Sequence, residues 1–339
     1  MAWTQVPFRG PVQLRRFLDD RMEEEAWQAV GTPAQRSRWQ GWAEAMAHET
    51  RSTGASVVSW EQPDYPRALA EIHDAPPVLY AQGDLTAWHH PMVAVVGTRQ
   101  CSDGAARWSF QMGQALAQSG ITLVTGGAHG VDIAAVQGAL HAGGRVIWCL
   151  AEGLDCISPR AHRKWAEASL GRGAWITEYP LRTAARPWRF AHRNRIVVGM
   201  GFATVLVQSP ADGGGMISAR LALSYNRTLG VLPPLEPGPA WDGNRHWLAT
   251  CPGAGISEVG DWLAALGFQT RKVEPSSLPE ALGPLWRALL GSRGRTASDL
   301  SEQLGLTDSQ VLHQLLLLEL QGRVRSVPGG RYVALQVLG

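Results

Sequence analysis

Four glycine-bearing loops hold residues suited to gripping an anion. They are Gly97-Thr98-Arg99, Thr125-Gly126-Gly127-Ala128-His129-Gly130-Val131-Asp132, Gly153-Leu154-Asp155 and Asp212-Gly213-Gly214-Gly215-Met216-Ile217-Ser218. A glycine lets backbone N–H groups come close to a phosphate, and a helix starting there adds the positive end of its dipole. Arg99 brings a guanidinium able to hold a phosphate through two bonds. Taken alone, Gly97-Thr98-Arg99 fits a tight turn with a surface arginine equally well. His129 fits either a phosphate contact or a loop-shaping role. Asp132 reads as a carboxylate that stabilises the start of a helix.

Two basic stretches accompany these loops. Ser158-Pro159-Arg160-Ala161-His162-Arg163-Lys164 puts Arg160, Arg163 and Lys164 at a helix beginning. The dipole disfavours cations there, and an anionic ligand would offset that cost. The second stretch, RTAARPWRFAHRNR from Arg182 to Arg195, holds five arginines, His192, Trp188 and Phe190, and no acid. Interleaved guanidinium groups and rings suit a single nucleic-acid strand, with Arg186, Arg189, Arg193 and Arg195 on phosphates, Asn194 between them, and rings on bases. The formal net charge is only +2, so a polyanion site must come from such local clustering. Several phosphate-receptive loops, including Gly214 and Gly215, favour a polymer with repeated phosphates over a single nucleotide.

The elements that must position these residues follow from the apolar pattern. VAVV (93–96), ITLVT (121–125), RVIWCL (145–150), AWIT (174–177), ATVLV (203–207) and TLGVL (228–232) read as strands. Helical segments lie between them at Ala105 to Ser119, Val131 to Ala142 and Met216 to Asn226. Apolar strands alternating with helices imply an α/β fold, a Rossmann-like parallel sheet with helices on both faces. The glycine loops then fall at strand C-terminal ends, the edge where such sheets bind ligands. The expected domains are a helical (SAM-like) module at 1–60, a proline-rich connector at 61–91, the Rossmann-like DNA-binding domain at 92–270 and a winged helix at 278–339. In the last, LGPLWRALL, TASDLSEQLG and DSQVLHQLLLLELQ read as helices and GRVRSVPGGRYVAL as a hairpin. Its presumed recognition helix, Asp308 to Gln321, has no Lys or Arg, so a protein-interaction or accessory role is expected over duplex reading.

Several classes are disfavoured. Cys101, Cys149, Cys156 and Cys251 have no metal-ligand spacing, so no metal is expected, nor any cofactor. No G-x-G-x-x-G follows the first strand and no G-x-x-x-x-G-K-[ST] occurs, which argues against a dehydrogenase and a P-loop NTPase. No signal peptide and no membrane span is read, so a cytoplasmic protein with reduced cysteines is expected.

Residues 92 to about 260 resemble the DprA/Smf family (DNA-processing protein A). The matching blocks, in order, are VAVVGTR, TGGAHGVD, LAEGLD, TEYP, FAHRNRIVVGM and GGGMISARLAL, followed by TLGVLPP and GNRHWLATCPGA. The resemblance implies a homodimer that binds single-stranded DNA on its Rossmann-like domain and loads RecA in natural transformation, without enzymatic activity. It places the family's phosphate-gripping arginine on Arg99, a further basic contact on Arg160, and the Arg-Asn-Arg block on Arg193, Asn194 and Arg195. The rival is a nucleotide-binding enzyme or phosphoribohydrolase of the related LOG-like fold. That group carries a catalytic Glu after its glycine loop, where this chain reads GGGMISAR.

Overall fold

The computed structural model describes residues 27–157, 159–269, 282–290, 292, 294–320, 323–327 and 329–334. Residues 1–26 of the expected helical module lie outside them. Helix α1 (Pro33–Ser52) opens with a capping box in which Thr32 and Gln35 exchange side-chain and backbone bonds. Eight strands follow: β1 (Ser56–Ser59), β2 (Val78–Gly83), β3 (Met92–Val96), β4 (Thr122–Thr125), β5 (Val146–Cys149), β6 (Ala174–Thr177), β7 (Ala203–Leu206) and β8 (Thr228–Val231). They form one sheet in the order β1-β2-β6-β5-β4-β3-β7-β8.

From β3 to β8 the strands pair in parallel. The intervening helices are α3 (Asp103–Gln118), α4 (Val131–His141), α5 (Arg163–Ser169), α6 (Pro187–Met200) and α7 (Gly214–Ser224), with the short α2 (Arg67–Ala70) before them. Two apolar clusters cover the two faces of the sheet, one built around Val93, Val95, Leu123 and Trp148, the other around Ala94, Val124, Ile147 and Ile196. Successive strand residues thus point to opposite faces and both are buried, which explains the continuous apolar runs.

The segment 61–91 is not the connector expected from its prolines. Its β2 joins the sheet antiparallel to β6, and β1, from the end of the expected helical module, pairs antiparallel with β2. Val78, Leu79, Tyr80 and Ala81 are all buried, so this stretch extends the central core. The prolines punctuate the turns around it and leave the strand itself free.

The chain runs outward from β3 through β4, β5 and β6, then returns to place β7 on the other side of β3. The loops after β3 and β7 therefore diverge, and a crevice opens between them at the C-terminal edge. After β8 come α8 (Asp242–Thr250) and α9 (Val259–Ala265).

The C-terminal unit is a winged helix. It comprises α10 (Gly283–Leu289), β9 (Arg295–Thr296), α11 (Ala297–Leu304), α12 (Asp308–Leu320), β10 (Val324–Val327) and β11 (Arg331–Ala334). Its strands pair in the order β10-β11-β9 over a core that includes Leu285, Leu300, Val311 and Leu315. Helix α12 packs on α4, and Lys164 Nζ donates to Glu319 Oε2 at 2.5 Å across that junction. Among the described residues no helix is long and apolar enough to cross a membrane, and no cluster of His, Cys, Asp and Glu could hold a metal.

Candidate nucleic-acid interface

The crevice at the strand crossover holds a cavity of about 520 Å³, lined by three glycine loops and α6. Gly97, Thr98 and Arg99 come from the loop after β3, Gly126 from the loop after β4, and Gly214 and Gly215 from the start of α7; Phe190, Arg193 and Asn194 come from α6. The loop after β3 is tied to the loop after β7, since Thr98 N–H donates to the Gln208 carbonyl (2.8 Å) and Ser102 N–H to Gln208 Oε1 (2.9 Å).

Helix α7 has no side-chain cap: Gly213 occupies the N-cap position and offers no acceptor. The Met216 N–H bonds the Gly213 carbonyl, which leaves the Gly214 and Gly215 N–H groups of the first turn for another partner. A Cβ added at Gly214 would meet no atom within 4 Å, so this position faces open space. The Ser218 hydroxyl, one turn into α7, is buried, lines the cavity and has no hydrogen-bond partner among the described residues. Helix α6, with Arg186 at its N-cap position, and helix α4, preceded by Gly130, also lack side-chain caps, though in α4 the Val131 and Ile133 N–H groups bond the Thr98 and Ala128 carbonyls.

Arg99 is exposed at the mouth, with its guanidinium 5.1 Å from the centroid of the Phe190 ring. No carboxylate pairs with it among the described residues, so its donors remain for an anion.

Arg193 and Arg195 are not the phosphate grips expected of them. Arg193 is 4% exposed and forms the cavity floor. Its Nη1 donates to the carbonyls of Gly126 (2.9 Å) and Cys149, so it braces the loop from beneath. Only glycine fits above it: a Cβ at Gly126 would lie 2.3 Å from the guanidinium. Arg195 is 3% exposed, paired with Glu178 and bonded to the Asp74 carbonyl, away from the cavity. Both arginines spend their donors on buried acceptors that would otherwise be unsatisfied.

The remaining expected contacts divide. Gly127 and Gly130 shape the loop after β4: Gly127 rests on Trp148, and Gly130 has φ 76° with the Thr98 carbonyl where a Cβ would sit. His129 is exposed and meets the buried His162 ring at 4.4 Å, while His162 Nδ1 lies 2.9 Å from the Gly127 carbonyl. Burial holds the His162 imidazole below its ordinary pKa. Arg160, in the same turn as His162, is exposed beyond this contact and outside the cavity. Arg163 pairs with Glu167 at 2.7 Å, and Lys164 is committed to Glu319 of the winged helix, which corrects its reading as a free phosphate contact. Arg186 is exposed next to the cavity-lining Pro187, whereas Arg189 is half-buried and bonded to the Ala184 carbonyl.

Asp132 also lines the cavity, deeper than a helix-stabilising surface carboxylate. Burial pushes its pKa up to about 6, against the opposing pull of Arg193 and of bonds from the Ala128 and Gly126 N–H groups and the Thr125 hydroxyl. Ser218 and Gln208 were not among the expected site residues. Ser218 was readable as the hydroxyl that follows the glycine triplet, while Gln208 gave no local signal.

Residues 56–266 match the model of the family described as DNA recombination-mediator protein A. The chain belongs to that family. Residues 269–330 match the family's winged helix domain. Protein Smf of Escherichia coli strain K12 is 32% identical over 86% of this chain and 83% of its own length. Protein Smf of Synechocystis is 34% identical over 69% of this chain, which spans only 63% of that relative. Among solved structures, DNA processing protein A of Streptococcus pneumoniae superposes with TM-score 0.68 at 23% identity, over 78% of this chain and 95% of that one. It shares the fold. DNA processing protein A of Helicobacter pylori, described for its single-stranded DNA binding mode, is 29% identical with TM-score 0.57, over 62% of this chain and 95% of that one.

Proposed function

We propose that this chain binds single-stranded DNA at the C-terminal rim of its sheet, as a non-enzymatic member of the recombination-mediator family. In this reading a phosphate enters the crevice between the loops after β3 and β7. The α7 N–H groups and the Ser218 hydroxyl receive it from one side and Arg99 from the other. The observation that carries the reading is this convergence in one cavity of an uncapped helix start, an unpartnered buried hydroxyl and an unpaired guanidinium. The finer role, protection of incoming DNA and loading of RecA by a homodimer, rests on family membership.

Anisotropy of a labelled oligo(dT) tests the reading. Single strand is expected to bind more tightly than duplex of the same length, with affinity falling steeply between low and physiological salt. Arg99→Ala is expected to weaken binding roughly ten- to hundred-fold, the scale of a lost charge-assisted bond. A flat salt titration, or unchanged affinity of the variant, would remove phosphate from the cavity.

One observation favours a second reading. Asp132 lines the cavity with a pKa of about 6, as a catalytic carboxylate would in a phosphoribohydrolase. Its oxygens are already engaged by the loop's own N–H groups. Incubation with nucleoside monophosphates is therefore expected to give no turnover, and released base would favour the enzyme.

A further inference from the structure

Trp188 is the most exposed large apolar side chain among the described residues. It is 56% exposed, yet its surroundings hold it still. Tyr179 meets it edge-on at 6.5 Å, and His192 lies 6.2 Å away. The Arg189 guanidinium sits 5.1 Å from the indole and 4.8 Å from the Tyr179 ring, and is itself anchored on the Ala184 carbonyl. Burial, reinforced by the neighbouring Glu178 charge, keeps the Tyr179 phenol protonated well above its ordinary range, so the support stays neutral. An isolated exposed ring needs no explanation; a ring clamped by three neighbours and still open to water has the build of a stacking platform.

Its place in the chain ties it to the cavity. Trp188 follows Pro187 and precedes Phe190 by two residues, and both of those line the cavity. The two rings are differently placed: Phe190 is half-buried at the mouth beneath Arg99, whereas Trp188 lies outside. The exposed Arg186 adds a cation two residues before Trp188, and no acid occurs from 182 to 195.

We propose that Trp188 is an outer platform that stacks an unpaired base of the same strand whose phosphate enters the Arg99 cavity. The base lies on the open indole surface while Arg189 supports the ring from its other contacts. The occupant is a nucleobase and not an apolar peptide, because the flanking side chains Arg186 and Arg189 are positive and the open ring surface is flat and cation-backed. This deepens the reading above and rests on it.

The test compares two strands of equal length, oligo(dT) and a fully abasic strand, on the full chain with Trp188→Leu, Trp188→Phe and Arg99→Ala. Trp188→Leu is expected to weaken oligo(dT) binding about five- to hundred-fold, the scale of a lost stack, with Trp188→Phe retaining most of the affinity. Its salt dependence should match that of the wild type, because no phosphate contact is lost, whereas Arg99→Ala should flatten it. The preference for oligo(dT) over the abasic strand should shrink in Trp188→Leu. Wild-type affinity of Trp188→Leu, or an undiminished preference, overturns the platform and leaves the phosphate site standing if Arg99→Ala still weakens binding. Absence of single-strand binding by the wild type overturns both.

Discussion

Three helices at the sheet rim and two in the winged helix start in opposite ways, although α3 at the rim is capped by Ser102 and α10 of the winged helix has no side-chain cap. At the rim, α4, α6 and α7 begin at Gly130, Arg186 and Gly213 with no side-chain cap. In the winged helix, α11 opens with a Thr296–Asp299 capping box, and α12 repeats the device with Thr307 and Gln310. The cap satisfies the first-turn N–H groups locally, so a capped start has little to offer a ligand. Cations do not divide in the same way: Arg99 and Arg186 at the rim and Arg325 and Arg331 on the wing are all exposed without a carboxylate partner among the described residues, while Arg295 bonds Gln303 and Arg323 lies 5.9 Å from the Trp286 ring. Helix α12, without a Lys or Arg, is partly spent on docking against α4 and on the ion pair of its Glu319 with Lys164 of α5. The rim thus offers uncapped helix starts to an anion, whereas α11 and α12 close theirs with their own side chains.

The largest effect should separate two arginines that look alike in sequence. Arg193→Met leaves the Gly126 and Cys149 carbonyls without their buried donor and should cost about 2–4 kcal/mol of stability. Arg99→Met should change stability by less than about 0.5 kcal/mol while weakening single-strand binding. Denaturant unfolding beside anisotropy checks both. If Arg193→Met unfolds like the wild type, the division between bracing and gripping arginines fails.

That division was hidden because the stretch from Arg182 to Arg195 reads as a run of cations, and charge alone does not say which face a residue takes. Helical spacing does: Arg193 shares a face with Val197 and Met200, both fully buried, so α6 carries it inward. The parallel strands, the helices between them and the winged helix were legible because their apolar periods are regular. Strands β1 and β2 were not, because prolines crowd their flanks and the pairing of β2 with β6, which joins both to the sheet, spans nearly a hundred residues. Of the cavity, the glycine loops and Arg99 were legible from their position after strands. Ser218 was signalled by its place after the glycine triplet, whereas Gln208 acts through tertiary placement alone.

The open helix start can be closed. Gly214→Val places a side chain in the free space before α7 without a backbone clash. It should lower single-strand affinity roughly ten- to fifty-fold, about 2 kcal/mol, and leave unfolding nearly unchanged. Thr296→Ala should do the reverse at the winged helix. Loss of that cap should cost about 1 kcal/mol, seen as a lower denaturant midpoint, with DNA affinity unaltered. A drop in binding with Thr296→Ala would mean that the two regions are coupled through the α4–α12 junction.

The smallest difference is one of sign. Asp132 and Asp299 both lie in the first turn of a helix, α4 and α11. Burial raises the Asp132 pKa from 3.8 to about 6, whereas bonds from the Thr296 N–H and hydroxyl lower that of Asp299. A raised acid makes the native state bind its proton more tightly than the unfolded chain does, so its contribution to stability falls as pH rises through the folded pKa. A lowered acid stabilises above its unfolded pKa and loses that contribution only in stronger acid. Of the two carboxylates only Asp132 should act between pH 5.5 and 7, its own contribution falling by about 0.8 kcal/mol. The stability gap between wild type and Asp132→Asn should therefore shift by that amount across the window, while the gap for Asp299→Asn stays constant. Urea unfolding at the two pH values reads both gaps. A constant gap for Asp132→Asn would mean that Arg193 and the loop N–H groups outweigh burial, and that the rim holds a carboxylate as firmly ionised as the winged helix does.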